Sequence, residues 1–267
     1  MKTSSERMSR RKFVDAVAAG AAGMALCGSG VRAAEKVAGK QEKKPQARAK
    51  KVLLIVGENF EELEFAAYSG VLSWTRAYSF TGTPVEVTVA GFSNIIGGMG
   101  SMRIVPDVLV ADLKPADVDQ FDAVAIPCSV GAGRGRRTYK GQEDLVSQPV
   151  LDIVRRVHDR GGVIATMCCS RETVVKAGLL KESDTQCRYW SDETGRPQGK
   201  GSRPAPIVVA NRIITTMGPA VSWPAVVLLV ELLNGREQAA QFTKTCPWVF
   251  GQSEELVLKV PVLHAGK

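Results

Sequence analysis

The sequence predicts an α/β fold: a three-layer sandwich with a mostly parallel sheet and helices on both faces. Three observations carry that expectation. Short, largely apolar runs with β-branched residues (Val52 to Val56, Phe121 to Pro127, Val163 to Met167) read as strands covered on both sides. Segments of helical periodicity alternate with them along the chain. A strongly apolar stretch from Trp223 to Leu233, stopped by Asn234 and Gly235, must lie inside.

The first fifty residues stand apart. They hold 12 Lys and Arg against 4 Asp and Glu. That leaves 23 basic and 23 acidic groups for residues 51–267, so the formal net charge of +8 sits entirely in the leader. A folded part with no charge excess gives no electrostatic footprint for nucleic acid. Ser9-Arg10-Arg11-Lys12-Phe13-Val14 resembles the twin-arginine export motif, and a weakly apolar Ala/Gly run follows it. Residues 1–33 are therefore expected to be a twin-arginine signal peptide cleaved after Ala33. Residues 34–50, rich in Lys and Arg, read as a disordered tether, and residues 51–267 as one α/β domain. The expected location is periplasmic or otherwise extracytoplasmic. The leader's apolar run is too short and Gly-rich to span a bilayer, so no membrane insertion is expected.

In order, Val52 to Val56 is the first strand, and Glu61, Glu62 and Glu64 open a helix reaching about Tyr78. Leu63, Ala66, Ala67, Val71 and Trp74 form its apolar set. Glu61 and Glu62 suit a helix start, where acids complement the dipole. Glu64 lies on the side of Leu63 and Ala67, so it is expected to turn inward, where burial raises a carboxyl pKa. Val85 to Ala90 alternates as the second strand. Asn94 to Val105 reads as a turn between two short strands, because its glycines lack the Gly-Lys-Ser/Thr of a phosphate loop. The Arg-rich insert Gly131 to Gly141 reads as a solvated loop, or more sharply as an anion-attracting lid. Pro149 to Arg160 is a helix, Ile207 to Thr216 a hairpin about Asn211, and Ser222 the cap of the last apolar helix.

The chemistry concentrates where Val163 to Met167 meets Cys168, Cys169, Ser170, Arg171 and Glu172. A buried strand running straight into a helix puts Cys168 on a sharp turn at the carboxyl end of the sheet, the geometry of a nucleophile elbow. Nearby N–H groups would lower its pKa, whereas a buried free Cys is otherwise a small inert hydrophobe. Besides Cys27 in the leader, five Cys remain: Cys128, Cys168, Cys169, Cys187 and Cys246. Their number is odd and their spacing irregular, which argues against a disulfide framework and matches no zinc motif. No metal or other cofactor is expected.

Several stretches together resemble the ThiJ/PfpI superfamily, the family of the parkinsonism-associated deglycase and the PfpI-type peptidases. They are KVLLIVGENFEELE, FDAVAIP, GGVIATMC, AGLL and TTMGPAVSWPAVVLLVELLNGREQAA, in family order over most of Lys51 to Phe242. The resemblance implies a flavodoxin-like, class I glutamine amidotransferase-like sandwich and a homodimer. It implies Cys168 as nucleophile, Glu64 as the acid bonded to it, and the backbone N–H groups of Ser129 and Cys169 as oxyanion donors. Cys128 and Cys187 are candidates to join a thiol cluster, and Arg171 and Arg188 to line a substrate pocket.

The chain departs from the family where the family carries Ala-Gly-Pro or His-Gly-Pro after the nucleophile; here it reads Cys169-Ser170-Arg171. Cys128-Ser129 replaces Gly-Gly, and Arg188 falls where the family has His or Tyr. The only histidines, His158 and His264, are not placed to serve Cys168 as a base. The leading expectation is an exported cysteine-dependent enzyme acting on small reactive carbonyl compounds, glyoxalase-like or deglycase-like. The alternatives are a non-catalytic thiol redox- or metal-responsive protein of the same fold, and a PfpI-type peptidase or amidase.

Overall fold

A computed structural model describes residues 48–77, 80–129, 132–133, 136–137, 140–185, 205–245 and 262–265. The leader, Cys27, Cys187, Arg188 and Cys246 lie outside the described residues. The first half of the chain runs β1 (Lys50–Val56), α1 (Glu62–Ala66), a π-turn (Ala67–Val71), a 3-10 turn (Trp74–Arg76) and β2 (Val85–Gly91). It continues through β3 (Ile96–Gly97), β4 (Arg103–Ile104), β5 (Val108–Leu109), α2 (Pro115–Val118) and β6 (Ala123–Ile126). Then come β7 (Ala132–Gly133), β8 (Arg136–Arg137), α3 (Lys140–Leu145), α4 (Gln148–Asp159), β9 (Val163–Met167) and α5 (Arg171–Lys176). The last elements are β10 (Ile207–Ala210), β11 (Ile213–Thr216), α6 (Ser222–Asn234), α7 (Arg236–Thr245) and β12 (Val262–Ala265).

Among the described residues, eight strands make one sheet in the order β12-β10-β11-β9-β6-β1-β2-β5. Each neighbouring pair is parallel except β10 with β11. That exception is the expected hairpin, turning on Asn211 (φ 48°) and Arg212 (φ 60°). Positive φ at both central residues matches the right-handed twist of the flanking strands. Arg212 is held there by its guanidinium, which donates to Gly161 O (2.8 Å) and Leu232 O (3.1 Å).

Alternation along the strands divides the core in two. Val52, Leu54, Val56, Ala123, Ala125, Val163, Ala165 and Met167 face a layer built from Tyr68 and Leu72, α6 (Ala225, Val226, Leu229, Val230) and α7 (Phe242). Leu53, Ile55, Val124, Ile126 and Ile164 face α4 (Val150, Ile153, Val154, Val157) and Val174 of α5. The result is the three-layer sandwich that the alternation of elements predicts. Among the described residues no helix is long and apolar enough to cross a membrane.

Two expectations need correction. The helix from Glu61 to Tyr78 is not continuous: α1 gives way to the π-turn and then to the 3-10 turn. Its inward set is Glu64, Ala67, Tyr68, Val71, Leu72 and Thr75, while Leu63 is 62% and Trp74 40% exposed. The period is the expected one, but its phase is set by Tyr68 and Leu72, which are fully buried. Ser222 does not cap α6. A 3-10 turn, Pro219–Val221, leads directly into the helix, so Val221 occupies the cap position and Ser222 the first helical one.

Candidate active site

The carboxyl ends of β1, β6 and β9 lie side by side at the centre of the sheet, and the chain leaving each supplies one part of the site. After β1, Gly57 permits a close approach: a Cβ there would lie 2.6 Å from Ser129 Oγ and 2.7 Å from Gly141 O. The chain then turns at Asn59 (φ 57°) into α1. Glu61 caps that helix, its carboxylate accepting from Glu64 N at 2.7 Å, and its own N–H donates to Cys128 O at 2.8 Å. Glu62 plays a different part, accepting from Gly100 N (3.1 Å) and Met102 N (2.8 Å) in the β3–β4 turn.

Glu64 is fully buried, as its place in the sequence predicts. Its Oε2 accepts from Cys128 N at 2.6 Å. Burial, reinforced by the neighbouring Cys168 charge, pushes its pKa up to about 9, against the pull of the Cys128 N–H. Glu64 is therefore a carboxylic acid at neutral pH and can donate a proton. Burial also raises Glu61.

After β9 the chain enters the elbow. Cys168 has φ 53°, a left-handed conformation that a residue with a Cβ adopts only under constraint. Ser170 supplies that constraint. Its buried hydroxyl accepts from Met167 N (3.0 Å) and lies within hydrogen-bond distance of Met167 O (2.6 Å) and Ile126 O (2.8 Å), pinning the turn to β6. The expected elbow is thus present, and Ser170, which sequence reasoning passed over, stabilises it. The Cys169 N–H hydrogen-bonds the Cys168 sulfur, which favours its thiolate. Ser129 is buried and forms a β-bridge with Phe60.

Three sulfurs converge here. Those of Cys128, Cys168 and Cys169 all lie within 4.8 Å of one another, with Cys128 and Cys169 2.7 Å apart, and all three are free thiols. Cys128 is 2% exposed, whereas Cys168 and Cys169 are half-buried. The expected contact between Cys128 and the vicinal pair is therefore present; Cys187, its other candidate member, falls outside the described residues.

The expectation that Cys168 is an acidified thiol is not met. Hydrogen bonds that its thiol donates to the two neighbouring sulfurs raise Cys128, and burial adds to this. The bond from Cys128 pulls Cys168 down, but its bond with Cys169 and its burial outweigh that and leave it raised. Cys169, accepting from Cys128 and Cys168, is lowered. A second set of contacts opposes this partition. The Cys169 sulfur lies 3.1 Å from Gln142 Oε1 and 3.5 Å from Ser129 O, oxygens that accept from a thiol and repel a thiolate. What the geometry supports is one readily lost proton for the cluster, with its charge shared between the vicinal sulfurs and Cys128 held neutral.

Gln142 of α3 also escaped sequence reasoning. Its amide donates to Cys169 O (3.2 Å) and Glu172 Oε2 (3.0 Å), joining α3 to the elbow. No local pattern marks it, because its partners lie about thirty residues downstream. Arg171 is reassigned: it is 7% exposed, donates to Thr185 Oγ1 (3.2 Å) and pairs with Glu182 (3.2 Å), so it holds the segment after α5. The histidines are remote, as expected. His158 bonds Asn211 O (2.9 Å) at the opposite end of the sheet, and His264 lies on β12.

Against known proteins, the model of the DJ-1/PfpI family matches residues 50–223. Protein dj-1beta of Drosophila melanogaster is 26% identical over 210 residues, covering 73% of this chain and 96% of the relative. The glutathione-independent glyoxalase DJR-1.2 of Caenorhabditis elegans is 26% identical over 200 residues, covering 74% and 96%. Among solved structures, Drosophila DJ-1beta aligns with a TM-score of 0.55 at 24% identity, over 73% of this chain and 96% of that one. Oxidized DJ-1 of Toxoplasma gondii aligns with a TM-score of 0.52 at 24% identity, over 73% and 97%. At these identities the structural likeness speaks for the fold.

Proposed function

Because the chain belongs to the DJ-1/PfpI family, we propose that it is a cysteine-dependent enzyme acting on small reactive carbonyl compounds, in the manner of a glyoxalase. The observation that carries this reading is the pairing of a constrained elbow cysteine, Cys168, with a buried, protonated carboxyl, Glu64. A relative of similar length is named as a glutathione-independent glyoxalase, which suits a site that supplies its own thiol.

The chemistry follows from those two groups. The Cys168 sulfur adds to the aldehyde carbon of a 2-oxoaldehyde, and the carbonyl oxygen takes the proton of Glu64, giving a hemithioacetal. Glu64, now a carboxylate, removes the hydrogen from that carbon and returns it to the adjacent carbonyl carbon. The hydroxyl proton passes to the neighbouring oxygen. The first carbon is oxidised to a thioester and the second reduced to an alcohol, so no external oxidant is needed. Water cleaves the thioester to a 2-hydroxy acid, whose proton restores Glu64. In place of a histidine, the Cys169 sulfur accepts the Cys168 proton.

We further propose that the enzyme works outside the cytoplasm after twin-arginine export, and as a homodimer. A non-catalytic thiol protein of the same fold is the second reading, favoured by the convergence of three sulfurs. Peptidase activity is disfavoured because His158 and His264 both lie away from the elbow. Methylglyoxal consumption and lactate formation test the proposal. The wild type should turn over, Cys168→Ser should abolish turnover, and Cys169→Ser should retain part of it. A wild type inert toward methylglyoxal and other 2-oxoaldehydes would overturn the glyoxalase reading in favour of the second.

A further inference from the structure

We propose that Cys128, Cys168 and Cys169 form a preorganised three-sulfur site for a trivalent group 15 metalloid, with arsenite as the simplest probe. The inference rests on the three sulfurs alone and does not depend on catalytic turnover.

The geometry is the first argument. The sulfurs belong to two chain segments, one leaving β6 and one leaving β9, and adjacent strands hold those segments together. All three lie within 4.8 Å of one another. An ion bonded to three sulfurs at roughly 2.3 Å, the zinc–thiolate length, needs them roughly 3.5–4 Å apart. The Cys128–Cys169 separation of 2.7 Å must widen, and Cys169 belongs to a half-buried turn. Cys168 and Cys169 open the cluster to solvent while Cys128 closes its floor, which gives an entry path.

The number of donors is the second argument. Among the described residues the cluster gathers three ligand atoms. Structural zinc closes a tetrahedron with four. A trivalent metalloid keeps a lone pair and is satisfied by three bonds in a pyramid.

Charge is the third. The groups acting most strongly on the sulfurs are one another and the Glu64 carboxyl, all neutral or negative. Three thiolates around a monovalent or divalent ion leave a net negative charge in a largely buried place, which is costly without a compensating cation. Around a trivalent centre they leave none. The balance is that of a condensation: arsenous acid and three thiols give the tris-thiolate and three waters. Three As–O bonds break and three As–S bonds form, and each thiol proton leaves with a hydroxyl. A thiolate in the resting cluster takes its missing proton from solvent. No redox change occurs.

The test uses the reduced full-length protein titrated with arsenite and followed by native mass spectrometry and by thiol counting. The expected product carries one arsenic, less three hydrogens, with three thiols protected. A variant with Cys27, Cys187 and Cys246 all changed to Ser should bind unchanged. Cys128→Ser, Cys168→Ser and Cys169→Ser should each weaken binding by more than about 100-fold, since even losing a residue behind a ligand costs 10–100-fold. Circular dichroism of each variant separates lost binding from lost fold. Loss of only two hydrogens, undiminished binding by any well-folded single variant, or displacement of arsenite by equimolar zinc would each overturn the proposal. Methylglyoxal turnover measured on the same samples keeps the two readings apart: arsenite binding without turnover retires only the enzyme, and turnover without arsenite binding only this site.

Discussion

Substituting Glu64 by Gln should change how stability depends on pH, by an amount set by the burial of the acid. Glu64 goes from an ordinary 4.5 to about 9 on folding. Between those values the native state holds a proton that the unfolded chain has released. This contribution to stability is therefore complete below pH 4.5, falls as pH rises, and is lost by about pH 9. Each pH unit in the window is worth about 1.4 kcal/mol, so the whole is about 6 kcal/mol and the part between pH 5 and 8 about 4 kcal/mol. Gln cannot titrate but keeps an oxygen for the Cys128 N–H. Its amide nitrogen takes the place of Oε1, a buried atom, at a pH-independent cost of about 1–3 kcal/mol. Urea unfolding of both proteins under reducing conditions at several pH values gives the difference curve, in which the other titrating groups cancel. Wild type should lose its advantage over Glu64→Gln steadily from pH 5 to 8. A difference constant over that range would mean that Glu64 is ionised in the folded protein, and the proton donor of the proposed reaction would go with it.

Two further outcomes are expected. Ser170→Ala removes the hydroxyl that bonds Met167 N, Met167 O and Ile126 O; with a buried N–H left unpaired it should cost about 2–3 kcal/mol in urea unfolding, and a cost below about 0.5 kcal/mol would show that the elbow stands without it. Arg10→Lys combined with Arg11→Lys should leave the protein in the cytoplasmic fraction, and normal export of the double variant would end the twin-arginine assignment.

The sequence speaks most clearly where one physical pattern dominates. Val52 to Val56 is apolar throughout, and Val163 to Met167 apart from the buried Thr166, because both faces of those strands are covered. That pattern also locates Cys168, since whatever follows a buried strand must turn. Glu64 was legible from its spacing to Ala67, which shares its buried side. What stayed hidden depends on distance. Gln142 reaches Cys169 across α3, Arg171 turns to Glu182, and β5 and β12 are too short to show a period. The sharing of one charge between the vicinal sulfurs depends on separations of a few ångströms, which no spacing in the chain encodes. The phase of the first helix was misjudged because Leu63 and Trp74 compete with Tyr68 and Leu72 as its apolar face. Only packing decides between them.

The order of strands has a consequence for how the chain tolerates being cut. One margin of the sheet is β5, two residues long, which offers little to pair with. At the other margin Val262–Ala265 lies alongside Ile207–Ala210, a strand of four buried apolar residues. The final strand therefore acts as a guard rail. A protease nick or truncation that frees β12 leaves the backbone of β10 bare, flat and apolar, a template onto which the same segment of another molecule can add. Clipping at the carboxyl end should thus appear as aggregation while the elbow, on the fourth strand counted from that margin, is still intact.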